Sequence, residues 1–279
     1  MPASPSNTPT ASPAPPAPPA WTGETLATDP HARQDKAERV RRMFAAIAGS
    51  YDLNNRVHSL GLDQRWRAFA VRQAAVRAGD HVLDVACGTG DLSRAFARAH
   101  PAPARVVGLD FTREMLDIAR ARQVRDAARA PVATNGSDAT CGPIEYIEGD
   151  AMKLPFPDAS FDIVSIAFGI RNVQDPAVAL AEFFRVLRPG GRLVVLEFDT
   201  PRVPIVGWLA RLYTNRIMPI TATLISGDRS GAYRYLPKSV ESFLDREQLG
   251  AAISGVGFAN LRQHALTFGQ CVCSAALKP

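Results

Sequence analysis

The sequence is short of the features that would anchor a chain in a bilayer, cross-link it or bind it to a metal. None of its 279 residues belongs to an apolar run near the ~18 residues needed to span a membrane, which argues against a transmembrane protein. Its four cysteines, Cys87, Cys141, Cys271 and Cys273, form no CxxC pair and no His/Cys ligand spacing. They read as reduced thiols in a cytoplasmic protein, with no metal site. Cys271 and Cys273 stand two apart, so on a strand they would share one packed face. Acid is scarce too: 32 Lys and Arg against 27 Asp and Glu give a net charge of +5. That balance admits nucleic acid or an anionic membrane surface as partner, or simply a basic soluble surface. The N-terminal stretch has few large apolar side chains and no Lys or Arg before Arg33. It contains neither a secretory h-region nor the arginines of a transit peptide. Residues 1–34 are expected to form a disordered Pro/Ala-rich tail.

What remains suffices for one α/β domain, placed at 35–279. Val40, Met43, Phe44 and Ile47 recur at helical spacing. A second helix is read from Asp63 to Val76, ended by Gly79-Asp80. Strands follow at His81–Ala86, Arg105–Asp110, Ile144–Glu148, Phe161–Phe168 and Arg192–Phe198, alternating with helices near 91–99, 113–128 and 176–187. This alternation predicts right-handed crossovers and a parallel sheet covered on both faces. Asp175-Pro176 is a helix start, and Arg188-Pro189-Gly190-Gly191 reads as a turn before the next strand. Residues 129–143 look like an inserted loop. Segment 200–238 is irregular, with six basic residues against one acid. Asp245 with Gln248 resembles a capping box, and Phe258–His264 with Gln270–Leu277 an antiparallel pair around Gly269.

The chemistry concentrates where the first strand meets its helix, at Asp84-Val85-Ala86-Cys87-Gly88-Thr89-Gly90. Gly88 and Gly90 allow a ligand close to the backbone, and Thr89 lies between them. Asp110 ends the second strand 20 residues after Gly90, where an acid can accept both hydroxyls of an adenosine ribose. A dinucleotide site wants a third glycine, but Ser93 stands there, and Asp84 would repel a pyrophosphate. The same carboxylate suits the cationic amino group of a methionine moiety, so these residues point to S-adenosylmethionine. Asp150, followed by Ala151 at the end of the third strand, fits a contact to the adenine amino group, although a strand-end Asp can equally be a loop cap.

Five blocks then resemble those of the quinone C-methyltransferases of menaquinone and ubiquinone biosynthesis. They are Tyr51-Asp52-Leu53-Asn54-Asn55 with Ser59, Gly61 and Trp66-Arg67; the glycine loop; Leu154-Pro155-Phe156 with Phe168-Gly169-Ile170-Arg171-Asn172; Arg185 to Gly191 with Leu196-Glu197-Phe198; and Tyr233-Arg234-Tyr235-Leu236-Pro237. The likeness runs from about residue 38 to the C-terminus. It implies a class I (Rossmann-like) methyltransferase sheet of seven strands ending in an antiparallel pair. It also implies C-methylation of a demethylated isoprenoid quinol, foremost demethylmenaquinol; a benzoquinol ring remains open. A nucleic-acid methyltransferase is the other alternative, but the [DNS]PP[YFW] motif of many such enzymes is replaced here by Ala-Phe-Gly-Ile-Arg-Asn. Asn54, Asp63, Asp199 and Ala167 depart from common family residues.

Methylating a ring carbon requires alignment, exclusion of water and handling of a proton. Arg171, beyond the fourth strand, is the leading candidate to stabilise a developing phenolate, although it cannot itself serve as a base. Tyr51 is expected to hydrogen-bond the substrate or close over the methionine group. Asn55, Trp66 and Asn172 are expected around the ring, with Trp66 equally suited to the core. His58 is a candidate base by residue type, but a lone His beside a helix end reads as structural. The helices of 35–78 are expected over the site, with 200–238 as a lid or as a point of peripheral membrane contact.

Overall fold

The computed structural model describes residues 18–129 and 143–279. The inserted-loop expectation and Cys141 therefore fall largely outside the described residues, as does the tail up to residue 17. Seven strands form one sheet: β1 (His81–Val85), β2 (Arg105–Asp110), β3 (Glu145–Glu148), β4 (Phe161–Ala167), β5 (Leu187–Phe198), β6 (Ala259–Leu266) and β7 (Cys271–Leu277). The spatial order is β3-β2-β1-β4-β5-β7-β6, parallel through β5 and antiparallel for β7 and β6. The chain winds outward from β1 to β3 and then jumps back to lay β4 on the other side of β1. That reversal opens a crevice at the carboxyl ends of β1 and β4, the usual ligand position in such sheets.

Strand alternation divides the core. Leu83, Val85, Val107 and Leu109 pack on one face against Leu180, Phe183 and Ile253, which belong to α6 (Pro176–Val186) and α10 (Arg246–Gly255). Val82, Val106, Cys271 and Cys273 pack on the other with Trp66, Ala70, Phe96 and Leu116. These come from α3 (Leu62–Ala74), α4 (Asp91–Ala97) and α5 (Arg113–Arg129). The two cysteines share a buried face, as their spacing implied, and Cys87, Cys271 and Cys273 are free thiols.

The element starts follow their signals. Asp175 accepts from the amides of Ala177 and Val178 with Pro176 in the first turn, and Asp245 with Gln248 closes a full capping box. The Arg188–Gly191 turn is corrected in form. It is a bulge inside β5, where the register runs from Phe161–Leu187 to Ile163–Arg192 and Gly190 takes φ +77°.

A third cluster caps the carboxyl edge of the sheet. It joins α1 (Lys36–Ile47), α8 (Met218–Ser226) and α9 (Ala232–Glu241) around Met43, Ile47, Ala222 and Tyr235. Trp21 completes it, which corrects the tail expectation for residues 18–34. Trp21 is wholly buried, stacks on Tyr235 at 4.4 Å, and its amide donates to the Ser230 carbonyl at 2.9 Å. One tryptophan supplies the apolar area that the Pro/Ala composition around it lacks. Sequence periodicity also missed α2 (Tyr51–His58), a helix of eight largely polar residues. Segment 204–226 resolves into α7 (Pro204–Leu212), a π-helical turn Tyr213–Ile217, and α8.

Candidate active site

At the crevice, the residues just past β1 and β4 hold unusual backbone conformations. Ala86 has φ +51° and Phe168 φ +56°. Strain of this kind in residues with side chains is kept where surrounding structure enforces it, often at functional sites. Gly169 has to be glycine on packing grounds, because an added Cβ would lie 2.7 Å from the Ala86 Cβ. Gly90, at φ +80°, opens α4, and a Cβ there would meet the Tyr146 hydroxyl at 2.2 Å.

A groove runs over these turns, lined by Ala86, Gly88, Asp110, Phe111, Asp150, Ala151, Met152 and Asn172. Asp110 is fixed at its base, with one carboxylate oxygen accepting from the Gly88 amide and the other from the Thr112 amide, both at 2.8 Å. Burial raises its pKa, against those bonds, which lower it. Phe111 and Met152 add apolar surface for a planar base. Asp150 stands exposed at the rim, where Oδ1 accepts from the Met152 amide at 2.8 Å. It therefore lines the groove and also caps its own loop. A carboxylate at the end of β2, apolar faces beside it and a glycine turn fit an adenosine with a cationic sulfonium tail.

Not every expected contact reaches the groove. Asp84 is 1% exposed and lies behind it, accepting from the hydroxyls of Ser93 at 2.6 Å and Ser165 at 3.0 Å. Burial pushes its pKa up to about 6 despite those two donors. Its direct contact to a methionine amino group is therefore corrected to a support of the turn. Thr89 is likewise turned away, its hydroxyl donating to Asp52 at 2.7 Å. Gly90 serves the geometry of the helix start and does not line the groove.

Beyond the groove lies a cavity of about 270 Å³. Its lining includes Asn55, His58, Asp63, Trp66, Arg67, Arg171, Phe198 and Tyr213, with Met218, Leu236 and Val240 toward the cap. The groove and the cavity share three lining residues, Phe44, Tyr51 and Phe168, all aromatic. Tyr51 meets Phe44 edge-on at 5.8 Å, and burial raises the pKa of its phenol. Phe168 and Phe198 lie 4.6 Å apart, each 6.1 Å from Trp66. Arg67 sits over Phe168 at 5.3 Å and Arg171 over Phe198 at 5.2 Å, a geometry that orients guanidinium charge against ring faces.

Trp66 lies between the core and the cavity, its indole N–H bonded to Thr267 Oγ1 at 2.9 Å. Arg171 also borders the cavity, 3% exposed, and its Nη1 pairs with Glu197 at 2.5 Å and donates to the Phe168 carbonyl at 2.9 Å. Its Nε is buried without a partner among the described residues. Asn172 is corrected in place: it lines the groove rather than the cavity, and its side-chain oxygen accepts from the Tyr235 hydroxyl at 3.0 Å. A single turn of 3-10 helix, Ile170–Asn172, thus sends two successive side chains to opposite pockets. The residues missed from sequence are the dividing aromatics Phe44 and Phe168, together with Phe111 and Met152. Phe111 and Met152 did carry a signal, since each follows an assigned carboxylate by one or two positions.

This doubly wound sheet, with a ligand groove at its switch point and an antiparallel terminal pair, is a class I S-adenosylmethionine-dependent methyltransferase fold. Solved structures agree on the architecture. A chain from the complex between the Haloferax volcanii Trm112 methyltransferase activator and a putative methyltransferase superposes with a TM-score of 0.57 at 18% identity, covering 85% of this chain and 97% of that one. A Thermotoga maritima S-adenosylmethionine-dependent methyltransferase gives 0.56 at 18% identity, covering 86% and 100%. The model of the ubiE/COQ5 methyltransferase family matches residues 32–278, and the chain belongs to that family. It is 45% identical over 237 residues to the demethylmenaquinone methyltransferase of Deinococcus radiodurans, covering 85% of this chain and 91% of that one. The demethylmenaquinone methyltransferase of Thermus thermophilus is also 45% identical, with 85% and 100% covered. The ubiquinone/menaquinone biosynthesis C-methyltransferase UbiE of Citrifermentans bemidjiense is 41% identical over 239 residues, with 86% and 96% covered. The protein is therefore a methyltransferase, and S-adenosylmethionine is its methyl donor.

Proposed function

We propose that the protein C-methylates the ring of a demethylated isoprenoid quinol, with demethylmenaquinol as substrate. The observation that carries this reading is the pairing of a donor groove with a larger, mostly apolar cavity across one aromatic wall. The names borne by its relatives support the naphthoquinol in particular.

In this reading Asp110 accepts from the ribose hydroxyls, Phe111 and Met152 flank the base, and Asp150 accepts from the adenine amino group. Bound there, S-adenosylmethionine supplies an electrophilic methyl on a sulfonium. Phe44, Tyr51 and Phe168 keep water from the line between the two pockets, and Trp66, Phe168 and Phe198 hold the acceptor ring by its faces. Position contributes much of the catalysis, because a near-attack geometry replaces a bimolecular encounter. Arg171, paired with Glu197, carries no net charge with its partner. It can still donate from Nε to an oxygen of the ring, a bond that strengthens as phenolate character develops.

The isoprenoid tail leaves past Leu236, Pro237 and Val240 toward α7 and α8. That face carries Ile205, Trp208, Ile217, Ile220 and Leu224, all exposed. Among the described residues no helix is long and apolar enough to cross a membrane. We therefore read this face as a peripheral contact with the membrane that holds the substrate. The test is methyl incorporation by the purified chain into demethylmenaquinol, a demethylated benzoquinol and transfer RNA side by side. Incorporation into the naphthoquinol is expected; labelling of RNA alone would overturn the quinol reading, and preference for the benzoquinol would reassign the ring.

A further inference from the structure

The reaction must remove a proton from the quinol, and neither Arg171 nor Tyr51 is suited to take it: the guanidinium stays protonated, and burial raises the Tyr51 phenol. His58 stands in the same cavity. It is the last residue of α2, and its Nδ1 lies 2.8 Å from the hydroxyl of Tyr213. Its Nε2 is buried and has no partner among the described residues. Tyr213 opens the π-helical turn between α7 and α8, and such insertions recur where a helix has to present a side chain for function.

We propose that His58, held by Tyr213, accepts the hydroxyl proton of the quinol. With the ring proton on Nδ1 donated to the Tyr213 oxygen, the Nε2 lone pair is free to accept. This arrangement of a base oriented by a second group is common in general base catalysis. Burial lowers the pKa of His58, which keeps the imidazole neutral and able to accept. The charged groups around the cavity are Asp63 and Arg67 on α3, Arg171 beyond β4, Asp199 beyond β5 and Glu241 on α9. Asp63 is bonded to Arg67 at 2.8 Å and Arg171 to Glu197 at 2.5 Å, while Asp199 pairs with Arg246 at 2.5 Å. Asp63, Arg67, Arg171 and Asp199 are thus committed to close ion pairs and Glu241 lies 3.5 Å from Lys238, whereas the imidazole has a hydrogen-bonding atom to spare.

The step balances as follows. The quinol O–H bond breaks and its proton passes to Nε2. The ring carbon forms a bond to the methyl, and the sulfur keeps the electron pair of the broken carbon–sulfur bond. The ring carbon then releases its own proton to solvent, the oxygen takes a proton back from the imidazolium, and His58 returns to neutral. One proton is released per methyl transferred.

This proposal rests on the quinol reading above, and the experiment separates the two. Wild type, His58→Gln, His58→Ala and Tyr213→Phe full-length proteins are assayed with S-adenosylmethionine and demethylmenaquinol, and each is titrated with S-adenosylhomocysteine. Both His58 variants are expected to bind S-adenosylhomocysteine as wild type does and to keep KM for the quinol, while kcat falls about 100-fold or more. The limb of the wild-type pH–rate profile that rises with pH is expected to vanish, and added imidazole to restore part of the His58→Ala rate. Tyr213→Phe, which changes only the positioning bond, is expected to lose about tenfold or less and to keep the limb. An unchanged kcat in His58→Gln, or a reduced kcat with an unaltered pH profile and no imidazole rescue, overturns the assignment. A wild type that does not methylate the quinol overturns the substrate reading, and this proposal with it.

Discussion

Asp84 lies buried beneath the groove, and its carboxyl titrates above the ordinary acid range. A carboxylate before a glycine turn reads naturally as a partner for a cationic ligand, yet Ser93 and Ser165 occupy its oxygens. Its folded pKa of about 6 exceeds the ordinary 3.8 because burial disfavours the charge. The folded chain therefore binds the extra proton between roughly pH 4 and 6, so the contribution of Asp84 to stability falls as pH rises through that window and stays lower above it. The stability of wild type relative to Asp84→Asn is expected to drop by on the order of 3 kcal/mol between pH 4 and 7. Urea denaturation at each pH measures the difference; a flat difference would mean that Asp84 titrates as an ordinary acid. Gly90 gives a second prediction. Gly90→Ala forces a Cβ onto the Tyr146 ring at φ +80°, and the backbone alone costs about 1–2 kcal/mol. Adding Tyr146→Phe removes the closest atom and should recover only part of the loss, since the φ penalty remains.

Among the elements, the segment before α1 departs furthest from its composition. Residues 18–34 are rich in Pro, Ala and Thr, yet Trp21 seats them on Tyr235, which in turn bonds Asn172 at the groove. Trp21→Ala is expected to cost about 3–5 kcal/mol and to weaken S-adenosylhomocysteine binding, because Asn172 loses the group that fixes its holder. Calorimetry of the variant checks both effects, and an unchanged melting temperature would show the contact to be incidental. Strands and long helices were legible because burial writes a period of two or 3.6 into the chain. The eight largely polar residues of α2 left no such trace, and their helix is held by α8 and by the turn before it. The groove carboxylate Asp110 was legible because strand-end position and spacing are local. The wall of Phe44, Tyr51 and Phe168 was not, since three separated elements assemble it and each ring looks like ordinary core. Asn172 was assigned to the wrong pocket for a related reason: a 3-10 turn sends neighbours in different directions, and sequence adjacency hides that.

Viewed as a whole molecule, the protein carries, besides its groove and its cavity, an exposed apolar face on α7 and α8. The cap face offers a direct optical test. Trp208 is 59% exposed, while Trp21 and Trp66 are 0% and 3% exposed, so any shift in tryptophan emission on adding vesicles reports on Trp208. Anionic phospholipid vesicles are expected to shift emission to the blue, and Trp208→Ser with Leu224→Ser to abolish co-sedimentation while leaving the melting temperature within about a degree. Retained binding by the double variant would take this face out of the proposed membrane contact.

The aromatic wall also governs traffic. Among the described residues the groove and the cavity meet at Phe44, Tyr51 and Phe168 and are otherwise lined by different residues. A spent donor can be exchanged through the groove while the acceptor stays in the cavity, and the methylated product can leave without waiting for the donor side to empty. Addition in either order is the kinetic consequence of two pockets that meet, among the described residues, at only three shared side chains.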